Sequence, residues 1–425
     1  MDALRIRGGK RLRGEWTVQN AKNAALPIMA GAILTEGKTV LRDCPRLSDI
    51  SDMGEILRTL GCGVHRDGGT LEIDPGGLCG YEMPEELSKR IRSSIFLLGP
   101  ILARFRRANV SLPGGCEIGL RPIDLHLSGL RQLGVQMEEE GGVIRCDGRN
   151  MHPATVHFDY PSVGATENVM MAAALLRGET VLNNVAREPE ILDLQRFLNA
   201  MGAKITGAGT NSIRVQGVSR LTCVEYRPMP DRIAAGTLLA AAAVTGGSVR
   251  LWNVPVEEML AVIAKLEEMG CVISRQENAL TLHGPERLSA FAQLQTQPHP
   301  GFPTDMQAQM MAIASLAKGT SVVVENVFEN RFAHAGDLNR MGANILINGR
   351  TAVIRGVERL SGARVTARDL RGGAALAIAG LAAQGETIVE RARLIDRGYE
   401  SLETALTHLG ADVQRISVER GEEHP

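Results

Sequence analysis

The chain has 425 residues, 44% hydrophobic and 22% charged, with a formal net charge of −1. That balance excludes a disordered or fibrous chain, and the length exceeds one ordinary core, so two domains are expected. Neutral overall charge and only 3% aromatic residues exclude a global field for nucleic acid and a base-stacking surface, and no nucleic-acid partner is expected.

The seven cysteines (44, 62, 79, 116, 146, 223 and 271) are scattered, with no CxxC pair. This spacing reads as a reducing compartment without a disulfide framework or a zinc site. The opening MDALRIRGGK lacks the apolar core of a secretory signal, and no run has the length of a membrane span. A cytoplasmic protein with no membrane partner, no metal and no cofactor is expected.

Along the chain one phrase recurs six times: a helical run, Leu or Met followed by Gly, then a strand. It falls at Gly61, Gly134, Gly202, Gly270, Gly342 and Gly410, at intervals of 68 to 73 residues. A fixed period of this kind predicts repeated supersecondary units, each glycine terminating a helix in the left-handed conformation. In the first unit a strand from Arg11 to Val18 precedes an apolar helix over Asn23 to Ile33 and a strand over Lys38 to Arg42. The third unit has a helix over Thr166 to Leu176 and a strand over Thr180 to Asn183. The fourth has Arg232 to Ala243, Ser248 to Trp252 and an amphipathic helix over Glu258 to Met269, and the sixth has Arg371 to Ala383 and Thr387 to Glu390. Helices apolar on all sides are buried, and the amphipathic ones cover the outside. Arg227 to Pro230 reads as a crossing strand at the midpoint. The expected fold is α/β: two domains of three repeats, residues 22–229 and residues 1–21 with 230–425, each with helices inside and sheets outside.

The second unit contains the most unusual stretch, Ser111 to Leu130. A strand over Ala108 to Leu112 is broken by Pro113-Gly114-Gly115, which hands over Cys116; Gly119 and Arg121 follow, and Pro122 starts a helix. A thiol near an arginine and a helix N-terminus is favoured as thiolate. The alternative is a surface loop with an incidental cysteine.

The buried helices begin with polar residues: Lys22-Asn23, Arg92-Ser93-Ser94, Ser162-Val163-Gly164, Asp231-Arg232, Thr304-Asp305 and Asp369-Leu370-Arg371. Ser, Thr and Asp suit plain N-capping. Lys22, Arg92 and Arg371 oppose the helix dipole, which makes sense where an anion shares the site, so a polyanionic substrate is expected. Arg187, Arg331 and Arg397 follow the short strands of their units. Glu188, Glu190, Asp305 and Glu329 are candidate bases; His126 and His299 are candidate proton shuttles, although a lone histidine is more often a structural hydrogen-bonder. No Walker A, GxGxxG or HExxH pattern occurs.

Taken together, Gln19 to Ala25, Leu112 to Cys116, Arg121 to His126, Ser162 to Thr166, Arg187 to Glu190, Pro303 to Gln307, Phe328 to Phe332 and Asp396 to Tyr399 resemble the UDP-N-acetylglucosamine enolpyruvyl transferases of the EPSP synthase-like superfamily. The resemblance covers nearly the whole chain, in order. It implies an inside-out α/β barrel fold with the active site in the interdomain cleft. It also implies transfer of the enolpyruvyl group of phosphoenolpyruvate to the 3′-hydroxyl of UDP-N-acetylglucosamine, the first committed step of peptidoglycan synthesis. By the same resemblance Cys116 is the general acid, and Lys22, Arg121 and Arg397 hold phosphoenolpyruvate. Asn23, Thr304, Asp305 and the Val327 backbone meet the amino sugar, with Asp305 the base. Arg92, Arg121, Pro122, Ile123, Asp124, Leu125, Ser162, Val163 and Gly164 form the nucleotide-sugar site, and Arg331 and Arg371 add anion contacts. Tyr160 and Ala234 depart from the family pattern, which places a lysine and an acidic residue there in some members. The rival readings are a transferase acting on shikimate 3-phosphate and a non-catalytic nucleotide-sugar sensor.

Overall fold

The structure, a computed structural model, describes residues 2–111 and 123–418. It is an α/β fold, and its described residues divide into two compact units. One takes in the N-terminal strands up to Gln19 and the chain from Pro230 onward; the other runs from Asn20 to Met229.

The same sheet is built again and again. In the Asn20–Met229 unit, strand Thr155–His157 runs parallel to Gly178–Asn183, which pairs antiparallel with Ser212–Gly217, which in turn pairs with Lys204–Thr206. The order edge, centre, centre, edge recurs in Gln293–Gln295, Thr320–Val324, Thr351–Arg355 and Asn344–Asn348 of the other unit. Among the described residues the strand pairs form six separate sheets, five of four strands and one of three. In the three-stranded sheet a single parallel bridge between Glu82 and Asn109 stands at the fourth position. Three sheets draw on distant sequence: Glu225–Tyr226 lies beside Thr39–Leu41 in the first. Arg13–Thr17 supplies the parallel edge beside Ser248–Trp252, and Asp2–Arg7 lies between Glu386–Glu390 and Asp412–Ser417.

Between parallel edge and centre strand the chain makes a buried helix. Arg232–Val244, Gln307–Ala314 and Leu370–Ala382 pack on one another in one unit. In the other, Leu98–Phe105 packs on Val163–Ala173, and Lys22–Gly31 packs on the 3₁₀ turn Arg92–Leu97. These helices are Ala-, Leu- and Met-rich because every face meets protein, and truncating a residue such as Leu239, fully buried, to Ala costs about 2–5 kcal/mol. The second helix of each repeat ends at the recurring Leu or Met, and the next residue is one of the six repeat glycines. All six have φ between +91° and +103°, a region in which a Cβ is strained.

Local boundaries differ from expectation in three places. Arg227 to Pro230 is not a strand: the ladder covers only Glu225–Tyr226, and the prolines at 228 and 230 have no N–H to contribute. The helix expected from Pro122 begins at Asp124 in the described chain, and Pro122 itself lies outside the described residues. The helix expected over Glu258 to Met269 is a 3₁₀ turn, Val256–Met259, followed by Leu260–Glu268.

Candidate active site

Each unit carries polar clusters at the start of its buried helices. Cys116, Arg121 and Pro122 lie outside the described residues, so the cysteine loop takes no part in the geometry below.

In the Asn20–Met229 unit, Lys22 is the first residue of helix Lys22–Gly31, whose N-terminus has no side-chain cap. Its Nζ sits 3.0 Å from Asp49 Oδ2, with side-chain exposures of 11% and 4%. Asp49 lies in the first turn of Ser48–Thr59, where the helix dipole favours its charge. Asn23, the next residue, faces solvent. A second group forms where helix Asp124–Gln132, which Ile123 precedes, packs on helix Val163–Ala173, which Ser162 precedes. Ser162 Oγ caps its helix by accepting from the Ala165 N–H at 3.4 Å. A Cβ on Gly164 would meet His126 Cε1 at 2.9 Å, so glycine is what lets this helix start close on the imidazole. The Asn168 amide donates to Ile95 O at 2.6 Å and to His126 Nδ1 at 3.0 Å, and its Oδ1 accepts from Gly99 N. His126 is therefore the Nε2–H tautomer. Burial, with Arg92 adding to it, lowers its pKa to about 3. Held neutral by burial and bonded to Asn168, the imidazole fits the role of a structural hydrogen-bonder, the more common one for a lone histidine.

Glu188 and Glu190 do not stand alone as bases. They adjoin Glu167, which is fully buried with no hydrogen-bond partner on either oxygen. Burial first, then the charges of Glu190 and Glu188, push the Glu167 carboxyl well above its ordinary range. Arg187 is exposed.

In the other unit Asp305 lies between two arginines. Arg331 Nη2 is 2.6 Å from Oδ1, and Arg371 Nη2 is 3.0 Å from Oδ2. Both arginines are 3% exposed. Asp369 caps the helix that carries Arg371, accepting from the Arg371 and Gly372 N–H groups at 2.9 and 3.0 Å. Burial opposes the Arg371 charge, but Asp305 and its neighbours hold its pKa above the usual arginine value. Among the described residues Arg331 Nε and Arg371 Nε and Nη1 find no acceptor, although Tyr399 also lies against the Arg371 guanidinium and Asp231 adds negative charge near it. Two buried guanidinium groups with such donors suit an anion. Arg397 ends the 3₁₀ turn Ala392–Arg397, and Tyr399 beyond it shares hydrogen bonds with Thr237 at 2.9 Å and Gln309 at 3.2 Å. Glu329 is set apart, exposed and 3.4 Å from Arg350. His299 lies 3.7 Å from Glu258.

Thr304 and Val327 are held by a residue that sequence reasoning passed over. Glu325, 1% exposed, accepts from Thr296 Oγ1 at 2.8 Å, Thr304 Oγ1 at 2.9 Å, Val327 N at 2.8 Å and Phe328 N at 3.1 Å. Its position two residues before Val327 was the available signal. Asp49 and Glu167 were passed over in the same way.

Comparison with known proteins follows this geometry. The family described as EPSP synthase (3-phosphoshikimate 1-carboxyvinyltransferase) matches residues 6–406. UDP-N-acetylglucosamine 1-carboxyvinyltransferase 2 of Caldanaerobacter subterraneus subsp. tengcongensis is 51% identical over 98% of this chain and 100% of its own length. UDP-N-acetylglucosamine 1-carboxyvinyltransferase 1 of Symbiobacterium thermophilum is 53% identical, over 97% of this chain and 94% of its own. Among solved structures, the enolpyruvyl transferase NikO from Streptomyces tendae superposes with a TM-score of 0.89 at 24% identity, covering 98% of this chain and 99% of its own. EPSP synthase from Acinetobacter baumannii does so with 0.77 at 17%, covering 98% and 100%. The chain belongs to the EPSP synthase family, on the branch of the UDP-N-acetylglucosamine 1-carboxyvinyltransferases.

Proposed function

We propose that this chain transfers the enolpyruvyl group of phosphoenolpyruvate to the 3′-hydroxyl of UDP-N-acetylglucosamine and releases phosphate, the first committed step of peptidoglycan synthesis. The observation that carries the reading is Asp305 between two buried arginines with unspent N–H donors. A carboxylate base set in a cationic frame is what acceptor deprotonation beside phosphate and carboxylate groups requires. The relatives at about half identity act on the sugar nucleotide by their names, which favours it over shikimate 3-phosphate.

In this reading Cys116 delivers a proton to C3 of phosphoenolpyruvate, which makes C2 electrophilic. The sugar 3′-oxygen bonds to C2 as Asp305 takes its proton. Loss of a C3 proton with expulsion of phosphate restores the vinyl group. Lys22, Arg121 and Arg397 hold the phosphoenolpyruvate anions, and Arg331 and Arg371 add positive charge. Asn23, Thr304 and Val327 meet the amino sugar. Arg92, Pro122, Ile123, Asp124, Leu125, Ser162, Val163 and Gly164 meet the nucleotide. Residues 22–229 and residues 1–21 with 230–425 form the two three-repeat domains, each inside-out in its layering, with the helices that pack on one another at the centre as its support. A reducing, cytoplasmic setting suits the six described cysteines, all of them free.

The test is phosphate release from phosphoenolpyruvate with UDP-N-acetylglucosamine, with shikimate 3-phosphate, and with no acceptor. Release with the first alone is expected. Release with shikimate 3-phosphate, or none with either, overturns the reading.

A further inference from the structure

We propose that Glu325 is a positioning residue that leaves Thr304 and Val327 as hydrogen-bond acceptors only, so that these two residues read the donors of the sugar. This rests on the reading that Thr304 and Val327 meet the amino sugar. As a carboxylate Glu325 has no proton to give, and all four of its partners donate to it. Thr296, fully buried, spends its hydroxyl proton on Glu325 Oε1 and accepts from Asn326 N at 2.9 Å, which closes that side of the network.

The consequence falls on the two binding groups. Thr304 gives its one hydroxyl proton to Glu325 Oε2 at 2.9 Å, so its oxygen can offer a ligand only lone pairs. The Val327 N–H is consumed at 2.8 Å, so that residue can offer a ligand only its carbonyl. Asp305, the next residue after Thr304, is likewise an acceptor as a carboxylate. Three acceptors in a row suit a sugar presenting an acetamido N–H and hydroxyl protons, and they disfavour one presenting an ether or ester oxygen. An unpaired acceptor facing an oxygen forfeits a hydrogen bond and its desolvation, which is how polar sites reject close analogues.

Glu325→Gln isolates this role because it keeps the shape. Its amide oxygen must face Thr296, Val327 and Phe328, which all donate, so its NH₂ faces Thr304. Thr304 then accepts, and its hydroxyl proton turns toward the ligand. The assay measures kcat and KM for UDP-N-acetylglucosamine and for the analogue carrying a 2-O-acetyl ester in place of the acetamido group. In the native enzyme the ester is disfavoured by roughly 10-fold or more in kcat/KM. In Glu325→Gln the KM for UDP-N-acetylglucosamine rises roughly 10-fold, preference over the ester shrinks, and the KM for phosphoenolpyruvate stays within about 3-fold. Thr304→Val is run beside it. If Thr304→Val raises the sugar KM while Glu325→Gln keeps native KM and preference, the Glu325 role is overturned and the sugar site stands. If Thr304→Val has no effect, the assignment of Thr304 to the sugar falls, and this proposal with it. Should Glu325→Gln not fold, the native enzyme decides: equal use of amide and ester overturns the argument.

Discussion

Replacing Asp49 by Asn tests the buried pair with Lys22. The two side chains are 3.0 Å apart and 11% and 4% exposed, so solvent screens them little. Removing one partner of a buried pair costs about 3–5 kcal/mol, because the other charge is left without compensation. Asparagine keeps a hydrogen-bond acceptor for the ammonium group, which brings the expected loss below that range, to about 2–3 kcal/mol. In a unit of some 200 residues each kcal/mol shifts the melting midpoint by about 2–4 °C, so a drop of roughly 5–10 °C is expected. The assay is thermal unfolding by circular dichroism, with and without saturating phosphoenolpyruvate. If the substrate anion meets Lys22, it supplies the negative charge that the variant lacks, and the gap between variant and native protein narrows. A midpoint within about 1 °C of native refutes the buried pair. A gap of unchanged size in the presence of phosphoenolpyruvate refutes the contact between Lys22 and that anion.

Further outcomes follow from the other clusters. Asp305→Asn abolishes phosphate release while keeping sugar-nucleotide binding by calorimetry, since an amide holds hydrogen bonds but is a very weak base; near-native turnover removes Asp305 from the chemistry. Glu167→Gln stabilises the protein at pH 7–8 more than at pH 4. The folded carboxyl is neutral with a raised pKa, so the native protein loses stability as pH rises above the unfolded value, and the amide cannot; equal urea midpoints at both pH values refute this. His126→Gln makes the protein less sensitive to acid between about pH 6.5 and 3. The native imidazole, with its pKa lowered to about 3, resists the proton that the unfolded chain takes up, at a cost approaching 1.4 kcal/mol per pH unit. Parallel stability curves for the two proteins refute it. A phosphonate-bearing epoxide alkylates Cys116, as seen by intact mass; Cys116→Asp loses the adduct and keeps measurable turnover, because a carboxylic acid still delivers a proton. An adduct on another cysteine with fully active Cys116→Ser refutes that role.

What the sequence revealed of the fold were features that constrain the backbone locally. The glycine after each outer helix is legible because a left-handed residue there tolerates almost nothing else, and all six have positive φ. The buried helices are legible because they are apolar all round. The 3₁₀ turns Arg92–Leu97, Val256–Met259 and Thr304–Met306 were not, since their residues suit an α-helical start as well. In the candidate site, the residues at helix starts were legible as polar interruptions of apolar runs. Their partners were not. Asp49 and Glu325 look like ordinary surface acids in the sequence, and only folding buries them against Lys22 and Thr304. The choice between shuttle and structural hydrogen-bonder at His126 was not legible, because it turns on burial and on Asn168, 42 residues on.

The strand Asp2–Arg7 has a consequence for how the molecule is made. It leaves the ribosome well before Glu386–Glu390 and Asp412–Ser417, the two strands between which it lies. At about 5–20 residues per second, a ribosome needs roughly 20–80 s to supply those partners. During that interval the Asn20–Met229 unit has its whole sequence available, while the opening strand, with apolar Leu4 and Ile6 destined for full burial, has no sheet to join. Vectorial synthesis therefore imposes an order on the two units that their shared repeat pattern conceals. A chain stalled before Glu386 leaves the strand Asp2–Arg7 with its apolar side chains uncovered, which makes that strand a point at which chaperone binding or aggregation competes with folding.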